Sequence, residues 1–389
     1  MAAMASPTSW QPDSGSLLKE PVTTASISPE KQRVLSYIAD TFNNILRDIR
    51  ARPSGRPVII LKRVVAVQPY YERPDSMRVK CHIQSREMRY HFPGKNADEA
   101  WRFACVGRIL GEINSAIREG ITITKRDIYY RDPMLFKQQE TVDRYVDDIA
   151  HTCQVTRRDL NVCASPKGLV AGLGDGSGGQ VPTHIPDHRN MFFEASHIAW
   201  ILVIEKEATF NTLVEKAFHQ HPVLGPGLLV TAKGYPDLAT RHFLRNLADH
   251  AQTPIQISGL FDWDPDGIQI LKCYLYGSKR LAQEHCCILP EMKWIGIRAH
   301  DIHRLDGATQ ESLPLSMRDR ALARSMLASE EWRDELGEIL PGLQEATVEI
   351  QRLLMLNRKA EIQILDQGGG EFEQWLVGKL RSRLVETVF

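Results

Sequence analysis

Several features that define large classes of proteins are missing from this sequence. Its seven cysteines include no Cys-x-x-Cys pair, so neither a disulfide framework nor a zinc knuckle is indicated, and a reducing compartment fits best. The longest uninterrupted apolar run, residues 198–204, is far shorter than the roughly 20 residues of a membrane-spanning helix, so we expect a soluble protein with no membrane partner. No Gly-x-x-x-x-Gly-Lys-Ser/Thr loop is present, so an ATPase would have to be a separate chain.

The zero net charge hides an uneven distribution. Residues 1–170 contain 26 basic and 19 acidic side chains, whereas residues 171–389 contain 22 basic and 29 acidic ones. The first part therefore favours contact with polyanions and the second favours cations. With 389 residues the chain is long enough for two compact domains.

The N-terminal segment has the composition of a tail. Residues 1–28 are rich in Ser, Thr, Ala and Pro and contain no apolar stretch behind a basic start. We expect a disordered tail and not a secretory signal.

The next segment combines a helix with a basic, strand-forming region. Ser28 and Pro29 are typical of a helix start, and apolar residues spaced by three and four predict a helix through Asp48. Residues 47–89 then contain eleven Lys/Arg against four Asp/Glu among strand-like apolar runs. Alone this indicates a solvated basic surface, whereas a binding motif after it would favour a nucleic-acid face.

Such a motif follows. Residues 124–127 form a capping box that opens a short helix ending near Asp132, and Asp132 with Pro133 starts an amphipathic helix of about four turns. Residues 156–159 repeat the capping pattern, and residues 166–172 alternate like a strand. Helix, turn, helix and strand-built wing is the order of a winged-helix DNA-binding module.

A glycine-rich connector follows at residues 172–179. A phosphate-binding loop is the alternative, but no Lys-Ser/Thr follows and the strand and helix that should flank it are absent. Beyond the connector, predicted strands at residues 199–204, 227–231 and 255–261 alternate with predicted helices at residues 209–218, 236–248 and 267–276. This alternation predicts a parallel sheet whose ligands bind at the carboxyl ends of its strands.

Acidic side chains follow two of these strands. Glu205 ends the first strand, and Asp262 and Asp264, two residues apart in an extended segment, end the third. Carboxylate oxygens are the ligands that Mg²⁺ prefers, so the sequence predicts a metal site here. The alternative is an acidic turn that caps the helix after Pro265.

Six motifs make the sequence resemble a known family. They are TKRDIYYRD at 124–132, SPKGLVAG at 165–172, LVIEKEATF at 202–210, AKGYPDLATR at 232–241, DWDPDGIQI at 262–270 and MLNRKAEIQIL at 355–365. Together they resemble the A subunits of topoisomerase VI, and more closely the meiotic relatives that make the double-strand breaks of recombination. The Glu and Asp-x-Asp pattern is similar to that of Toprim domains.

The resemblance implies an α/β, multidomain fold. A winged-helix (CAP-like) domain would occupy residues 29–172, a linker residues 173–190, and a Toprim domain with a C-terminal helical extension residues 191–389.

The resemblance also implies breakage by transesterification. Tyr130, the second aromatic of its pair, would attack the DNA backbone and stay joined to the 5′ end, while Tyr129 would fill the core. A phenol with a pKa of about 10 needs a cation or a base to lose its proton at neutral pH. Arg126 lies one helical turn before Tyr130, close enough to assist. Mg²⁺ on Glu205, Asp262 and Asp264 would supply the remaining charge.

The partners implied by the resemblance are double-stranded DNA, a second copy of the chain, meiotic accessory proteins and a B-type (ATPase-like) subunit, in the nucleus. In the homodimer the tyrosine of one protomer would face the acids of the other. Five basic residues are candidate DNA contacts: Arg157 and Arg158 at the start of a predicted recognition helix, and Lys206, Lys233 and Arg241 near the strand ends.

Two residues depart from the family pattern, Arg131 where a small polar residue is expected and Asp266 where relatives often have His. Three alternative functions remain open at this point. They are the A-type chain of an ATP-driven topoisomerase VI, a hydrolytic Toprim nuclease that needs the acids but not the tyrosine, and an inactive DNA-binding scaffold.

Overall fold

A computed structural model of the chain describes residues 27–51, 55–71, 79–163, 167–173, 183–185, 198–251, 253–278, 287–303, 312–365 and 371–386. The predicted tail up to residue 26 and most of the predicted linker, including the glycine-rich run 174–179, lie outside the described residues. The buried apolar side chains form two separate cores, one within residues 34–162 and one within residues 170–380.

The first core is built from helices around a long hairpin. Its elements are α1 (Pro29–Arg50), β1 (Val58–Tyr71), β2 (Val79–His91), α2 (Ala97–Glu119), β3 (Ile123–Thr124), α3 (Lys125–Arg131), α4 (Pro133–Phe136), α5 (Gln139–Cys153), a 3-10 helix (Arg157–Leu160) and β4 (Val162–Cys163). Strands β1 and β2 pair antiparallel, and β3 pairs with β4 in parallel. The mixed α/β fold class is thereby confirmed for the first half.

Local sequence signals explain where these helices begin and end. The Ser28 side chain accepts a hydrogen bond from the Lys31 N–H, and Pro29 occupies the first turn of α1, as predicted. Helix α2 ends at Gly120, which adopts a left-handed conformation with φ of 67°.

The predicted four-turn helix after Asp132 is in fact two helices. Its continuation would require the Leu135 carbonyl to accept from the residue four positions on, but the Trp101 indole N–H of α2 binds that carbonyl at 2.6 Å. Lys137 then adopts a positive φ of 64°, which separates α4 from α5. A tertiary contact therefore interrupts a pattern that the sequence makes continuous.

The second core surrounds a six-stranded sheet. The chain passes through β5 (Leu169–Ala171), β6 (Thr183–His184), β7 (Trp200–Ile204), α6 (Glu207–Glu215), a 3-10 helix (Phe218–Gln220), β8 (Gly227–Thr231), α7 (Leu238–His250), β9 (Gln256–Leu260), α8 (Pro265–Tyr276), β10 (Lys293–Gly296) and α9 (Ala299–His303). The strand order is β10-β9-β7-β8-β5-β6. The four strands from β10 to β8 are parallel, as predicted; β5 pairs antiparallel with β8, and β6 pairs antiparallel with β5 at the edge of the sheet.

The C-terminal part adds helices against this sheet. Its elements are β11 (Leu313–Pro314), α10 (Met317–Leu327), a 3-10 helix (Glu330–Trp332), α11 (Gln344–Leu356), β12 (Arg358–Lys359), a 3-10 helix (Ile362–Leu365) and α12 (Glu371–Glu386), with β11 and β12 paired antiparallel. In the part of the chain that the structure describes, no helix combines the length and apolarity needed to span a membrane.

Two predictions for the end of the first half are wrong. Residues 169–171 do not form a wing, because Val170 and Ala171 are buried in the second core and β5 pairs with β8. The capping box at Thr156 is present, but it opens a four-residue 3-10 helix and not a recognition helix, because Asn161 turns left-handed at φ 55° and ends it. In addition, Thr183 and His184, which lie within the predicted linker, form strand β6.

We predict that Gly227→Ala lowers the free energy of unfolding of the second core by about 1–3 kcal/mol. A Cβ at this position would lie 2.2 Å from the fully buried Trp200 ring on the neighbouring strand. Gly111→Ala is the matched control: nothing lies within 4 Å of its Cβ position in α2, so the same substitution should stabilise by about 0.5–1 kcal/mol. Urea unfolding of both variants checks the opposite signs.

Candidate active site

Two acidic side chains meet where neighbouring parallel strands end. Ile204 of β7 pairs with Leu260 of β9, so Glu205 and Asp262 follow at the same edge of the sheet. The Glu205 carboxylate accepts a hydrogen bond from the Asp262 N–H at 2.9 Å. Parallel pairing thus brings together two residues that are 57 positions apart in the sequence.

The C-terminal motif completes the surroundings of Asp262. Asp262 is buried, and its Oδ1 accepts the Ile362 N–H at 2.8 Å. Ala360 and Trp263 exchange backbone hydrogen bonds of 2.9 and 3.0 Å, which hold the C-terminal segment beside the Asp-x-Asp segment. Glu361 and Gln363 therefore lie next to the site without having been predicted there, although both belong to one of the six family motifs.

Asp264 has a structural role in addition to its predicted one. It is the N-cap of α8, and its Oδ1 accepts the Gly267 N–H at 2.7 Å. Within the residues that the structure describes, no three acidic, His or Cys side chains lie close enough together to hold a metal. The three-acid cluster is therefore not assembled here, and Asp264 as a metal ligand stays a prediction.

The chemistry of the remaining pair fits a hard cation. Burial, followed by the charge of Asp262, raises the pKa of Glu205. Burial also raises the pKa of Asp262, against the opposing effect of Lys206, and raises the pKa of Asp264. Burial disfavours the anionic forms of the Glu205 and Asp262 carboxylates, and a divalent ion bound between them would stabilise both anions. Mg²⁺ needs only one or two protein carboxylates.

Of the three lysine and arginine residues predicted near the strand ends, two are partly exposed. Lys206 binds Asp262 at 3.0 Å and Glu361 at 2.8 Å, and Lys233 binds Glu207 at 2.8 Å.

The prediction for Arg241 is wrong. This side chain is completely buried and its Nε donates to the Cys287 carbonyl at 3.1 Å, so it is not available to DNA. It lies on the face of α7 that packs into the core, a position that the charge of arginine does not reveal from the sequence.

The candidate nucleophile lies on the short helix α3. Thr124 and Asp127 form the predicted capping box at its start. Tyr130 is 69% exposed, whereas Tyr129 is partly buried against the first core with its ring centroid 5.4 Å from that of Tyr130. Arg126 is exposed one turn earlier, and no carboxylate of the described residues forms an ion pair with it.

Ion pairs hold α3 at both ends. Lys125, which is buried, donates to Asp147 of α5 at 2.9 Å. At the other end Arg131 binds Glu112 of α2, a buried carboxylate that also binds Arg108 at 3.0 Å. The unexpected Arg131 therefore anchors the helix that presents Tyr130.

Two further predicted residues have clear partners. Arg157 forms a 2.6 Å ion pair with Asp147 and its side chain is only 13% exposed, so its charge serves the packing of α5, while Arg158 is exposed. Asp266 accepts from Arg318 at 2.8 Å and from the Tyr235 hydroxyl at 3.0 Å, which gives this departure from the family pattern a surface role.

Comparisons with known proteins identify the family of the chain. The family model of the Toprim domain of topoisomerase 6 A subunits and Spo11 matches residues 200–380, and the model of type IIB DNA topoisomerases matches residues 101–162. The chain is 37% identical over 357 residues to meiotic recombination protein rec12 of Schizosaccharomyces pombe, a match that covers 90% of this chain and 95% of rec12. The chain belongs to the family of Spo11 and the topoisomerase VI A subunits.

Other members of this family match over most of the chain. Meiotic recombination protein SPO11 of Homo sapiens is 30% identical over 360 residues, covering 87% of both chains. The A3 subunit of DNA topoisomerase 6 of Oryza sativa subsp. indica is 32% identical over 308 residues, covering 75% of this chain and 66% of the relative. The resemblance inferred from the six motifs is confirmed, and the Toprim match contains Glu205 and Asp262.

We predict that Arg131→Met lowers the free energy of unfolding of the first core by about 1–2 kcal/mol, because buried Glu112 is left with Arg108 alone. Arg318→Met is the control: it removes an equivalent ion pair to Asp266 from a 73% exposed side chain and should leave stability unchanged. Denaturant unfolding of both variants measures the difference. Equal effects would show that the contact with Glu112 does not anchor α3.

Proposed function

We propose that this chain makes the DNA double-strand breaks of meiotic recombination by a topoisomerase-like transesterification. Relatives named as meiotic recombination proteins, from S. pombe, Homo sapiens and Mus musculus, support the meiotic assignment. The observation that carries the chemistry is the presentation of Tyr130, an exposed tyrosine on a helix held at both ends by ion pairs that each include a buried side chain.

The reaction uses no external oxidant or water. The Tyr130 phenol loses its proton, its oxygen bonds to the phosphorus of a backbone phosphodiester, and the bond from phosphorus to the 3′ oxygen breaks. The 3′ oxygen takes up a proton and leaves as a hydroxyl, while the 5′ phosphate stays joined to Tyr130.

Two groups of side chains assist this step. Arg126, exposed and one turn from Tyr130, favours the phenolate or the charge on the phosphate oxygens. Glu205 and Asp262 would hold Mg²⁺, with Asp264 as a proposed third ligand. A bound Mg²⁺ supplies positive charge to the phosphate oxygens. Lys206, Lys233 and Arg158 are proposed contacts to the DNA backbone.

Tyr130 and the acids lie on elements that pack around different cores, so the proposed site needs both parts of the fold. We propose the homodimer implied by the family resemblance, in which Tyr130 of one protomer faces Glu205 and Asp262 of the other. Two such composite sites cut both strands of double-stranded DNA. Meiotic accessory proteins and a B-type (ATPase-like) subunit are the proposed partners, and the nucleus is the proposed location.

The A-type chain of a topoisomerase VI is the second candidate function. The topoisomerase 6 relatives from Oryza sativa subsp. indica and Arabidopsis thaliana favour it. Incubation with supercoiled DNA, a B-type partner and ATP separates the two functions. Covalent 5′ adducts without relaxation are expected for the break-forming protein, whereas ATP-dependent relaxation would support the topoisomerase.

We predict that Tyr130→Phe abolishes the covalent protein–DNA adduct and leaves DNA binding within about twofold, because only the attacking oxygen is removed. Tyr129→Phe is the matched control and should keep the adduct, since Tyr129 packs against the first core. Denaturing gels of labelled DNA, run beside binding titrations, measure both effects. Cleavage by Tyr130→Phe that yields free 5′ phosphates would instead indicate a hydrolytic nuclease.

We also predict that Glu205→Gln and Asp262→Asn each reduce Mg²⁺-supported adduct formation by about 100-fold or more, through loss of charge stabilisation at the phosphate. Asp266→Asn is the control, because Asp266 binds Arg318 and Tyr235 and not the Glu205–Asp262 pair. Single-turnover cleavage over a Mg²⁺ titration is the measurement. Wild-type cleavage by either variant would exclude these acids as metal ligands.

A further inference from the structure

Lys206 binds one member of the acidic pair and two side chains of the C-terminal motif. Its ammonium lies 3.0 Å from Asp262 Oδ2, 2.8 Å from Glu361 Oε2 and 3.2 Å from Gln363 Oε1. Asp262 is a candidate metal ligand with a side chain only 5% exposed, whereas the Glu361 side chain is 55% exposed. One partner therefore belongs to the metal site and the other two belong to its rim.

The contact with Asp262 conflicts with metal binding. Asp262 Oδ1 accepts the Ile362 N–H and Oδ2 lies beside the Lys206 ammonium, so a cation that binds Oδ2 meets this ammonium. Mg²⁺ binds a carboxylate oxygen at about 2.0–2.1 Å in near-octahedral geometry. A divalent ion and an ammonium on the same oxygen repel each other strongly, because the site has a low dielectric.

The rim gives Lys206 a second position. Its side chain is a flexible four-carbon stem with three donors, and it is 25% exposed. Glu361 and Gln363 lie on the segment that Ile362 ties to Asp262, so they stay next to the site when the ammonium moves. Lys206 can leave Asp262 without losing its ion pair to Glu361.

We propose that Lys206 is an exchangeable counter-ion of Asp262. When a divalent cation binds Asp262 Oδ2, the Lys206 ammonium leaves that oxygen and binds Glu361 and Gln363 alone. This rests on the proposed function, since it assumes that Asp262 is a metal ligand. The charge of Asp262 is balanced by Lys206 before the cation arrives. Afterwards the ammonium lies at the rim of the metal site, where a DNA phosphate would bind.

An exchangeable counter-ion and a simple phosphate contact have different effects on metal affinity. A lysine that only binds DNA would change DNA affinity and leave the metal unaffected. An exchangeable counter-ion competes with the metal, so removing it strengthens metal binding. Removing Glu361 does the opposite, because Lys206 then has only Gln363 to receive it and competes more strongly for Asp262.

The test is a double-mutant cycle on full-length protein, without DNA, using Mn²⁺ as a spectroscopic substitute for Mg²⁺. Electron paramagnetic resonance titrations give the dissociation constant of Mn²⁺ for the unsubstituted chain, Lys206→Met, Glu361→Gln and the double variant. We expect Lys206→Met to bind Mn²⁺ about tenfold more tightly and Glu361→Gln about threefold more weakly. In the Lys206→Met background, Glu361→Gln should have almost no effect, since exposed Glu361 would then act only through solvent-screened charge.

A second readout is thermal stability. Without Lys206 the two neighbouring acids lack a cation, so Lys206→Met should melt at a lower temperature in chelator and show a larger rise on adding Mn²⁺. Lys233→Met is the matched control, because Lys233 pairs with Glu207 and should leave Mn²⁺ affinity unchanged.

Two results would overturn the proposal: unchanged or weaker Mn²⁺ binding by Lys206→Met, or an equal effect of Glu361→Gln in both backgrounds. Should Lys206→Met fail to fold, unchanged Mn²⁺ affinity of Glu361→Gln would also overturn it. Glu205→Gln separates this outcome from failure of the proposed function. If Glu205→Gln abolishes Mn²⁺ binding and the effects of Lys206→Met and Glu361→Gln on Mn²⁺ affinity are additive, only the role of Lys206 is rejected. If the unsubstituted chain binds no Mn²⁺, both the metal site and the role of Lys206 are rejected.

Discussion

The candidate metal site depends on two poorly solvated carboxylates that lie side by side at one edge of the sheet. Parallel pairing of β7 with β9 brings Glu205 to Asp262, and the hydrogen bond from the Asp262 N–H keeps them in register. Two neighbouring carboxylates of like charge are tolerated only when cations and backbone donors surround them. Lys206 and the Ile362 N–H meet that need, which explains why a segment 100 residues later in the chain packs against Asp262.

The tyrosine is presented by different means. A seven-residue helix has little stability of its own, so α3 relies on its capping box and on ion pairs to α2 and α5. Because Lys125 and Arg131 bind carboxylates on separate helices, rotation of α3 would break at least one of these contacts. Tyr130 can therefore be exposed to solvent and still be oriented by the protein, which would lower the entropy cost of the proposed reaction.

Local signals in the sequence were sufficient for much of this arrangement. Ser28, Thr124 and Asp132 cap helices in the structure as predicted, because a cap needs only neighbours within four residues. The acids Glu205 and Asp262 were found because strands ending in one parallel sheet must end at the same edge. Adjacent helical residues point about 100° apart, so one tyrosine of the pair was expected to pack and the other to be exposed, and the family resemblance assigned the exposed position to Tyr130 and the packed one to Tyr129.

Long-range contacts account for what the sequence did not reveal. Trp101 binds the Leu135 carbonyl and divides a helix, and β8 draws β5 into the second sheet. Arg241 carries the charge of a surface residue and lies in the core. The six motifs carried the family resemblance, and the fold class and the carboxylates of the candidate site follow from residue types and their spacing. The partners of Lys206, Arg131 and Asp266 follow only from folding, because distance in space between residues far apart in the chain is set by packing and not by composition.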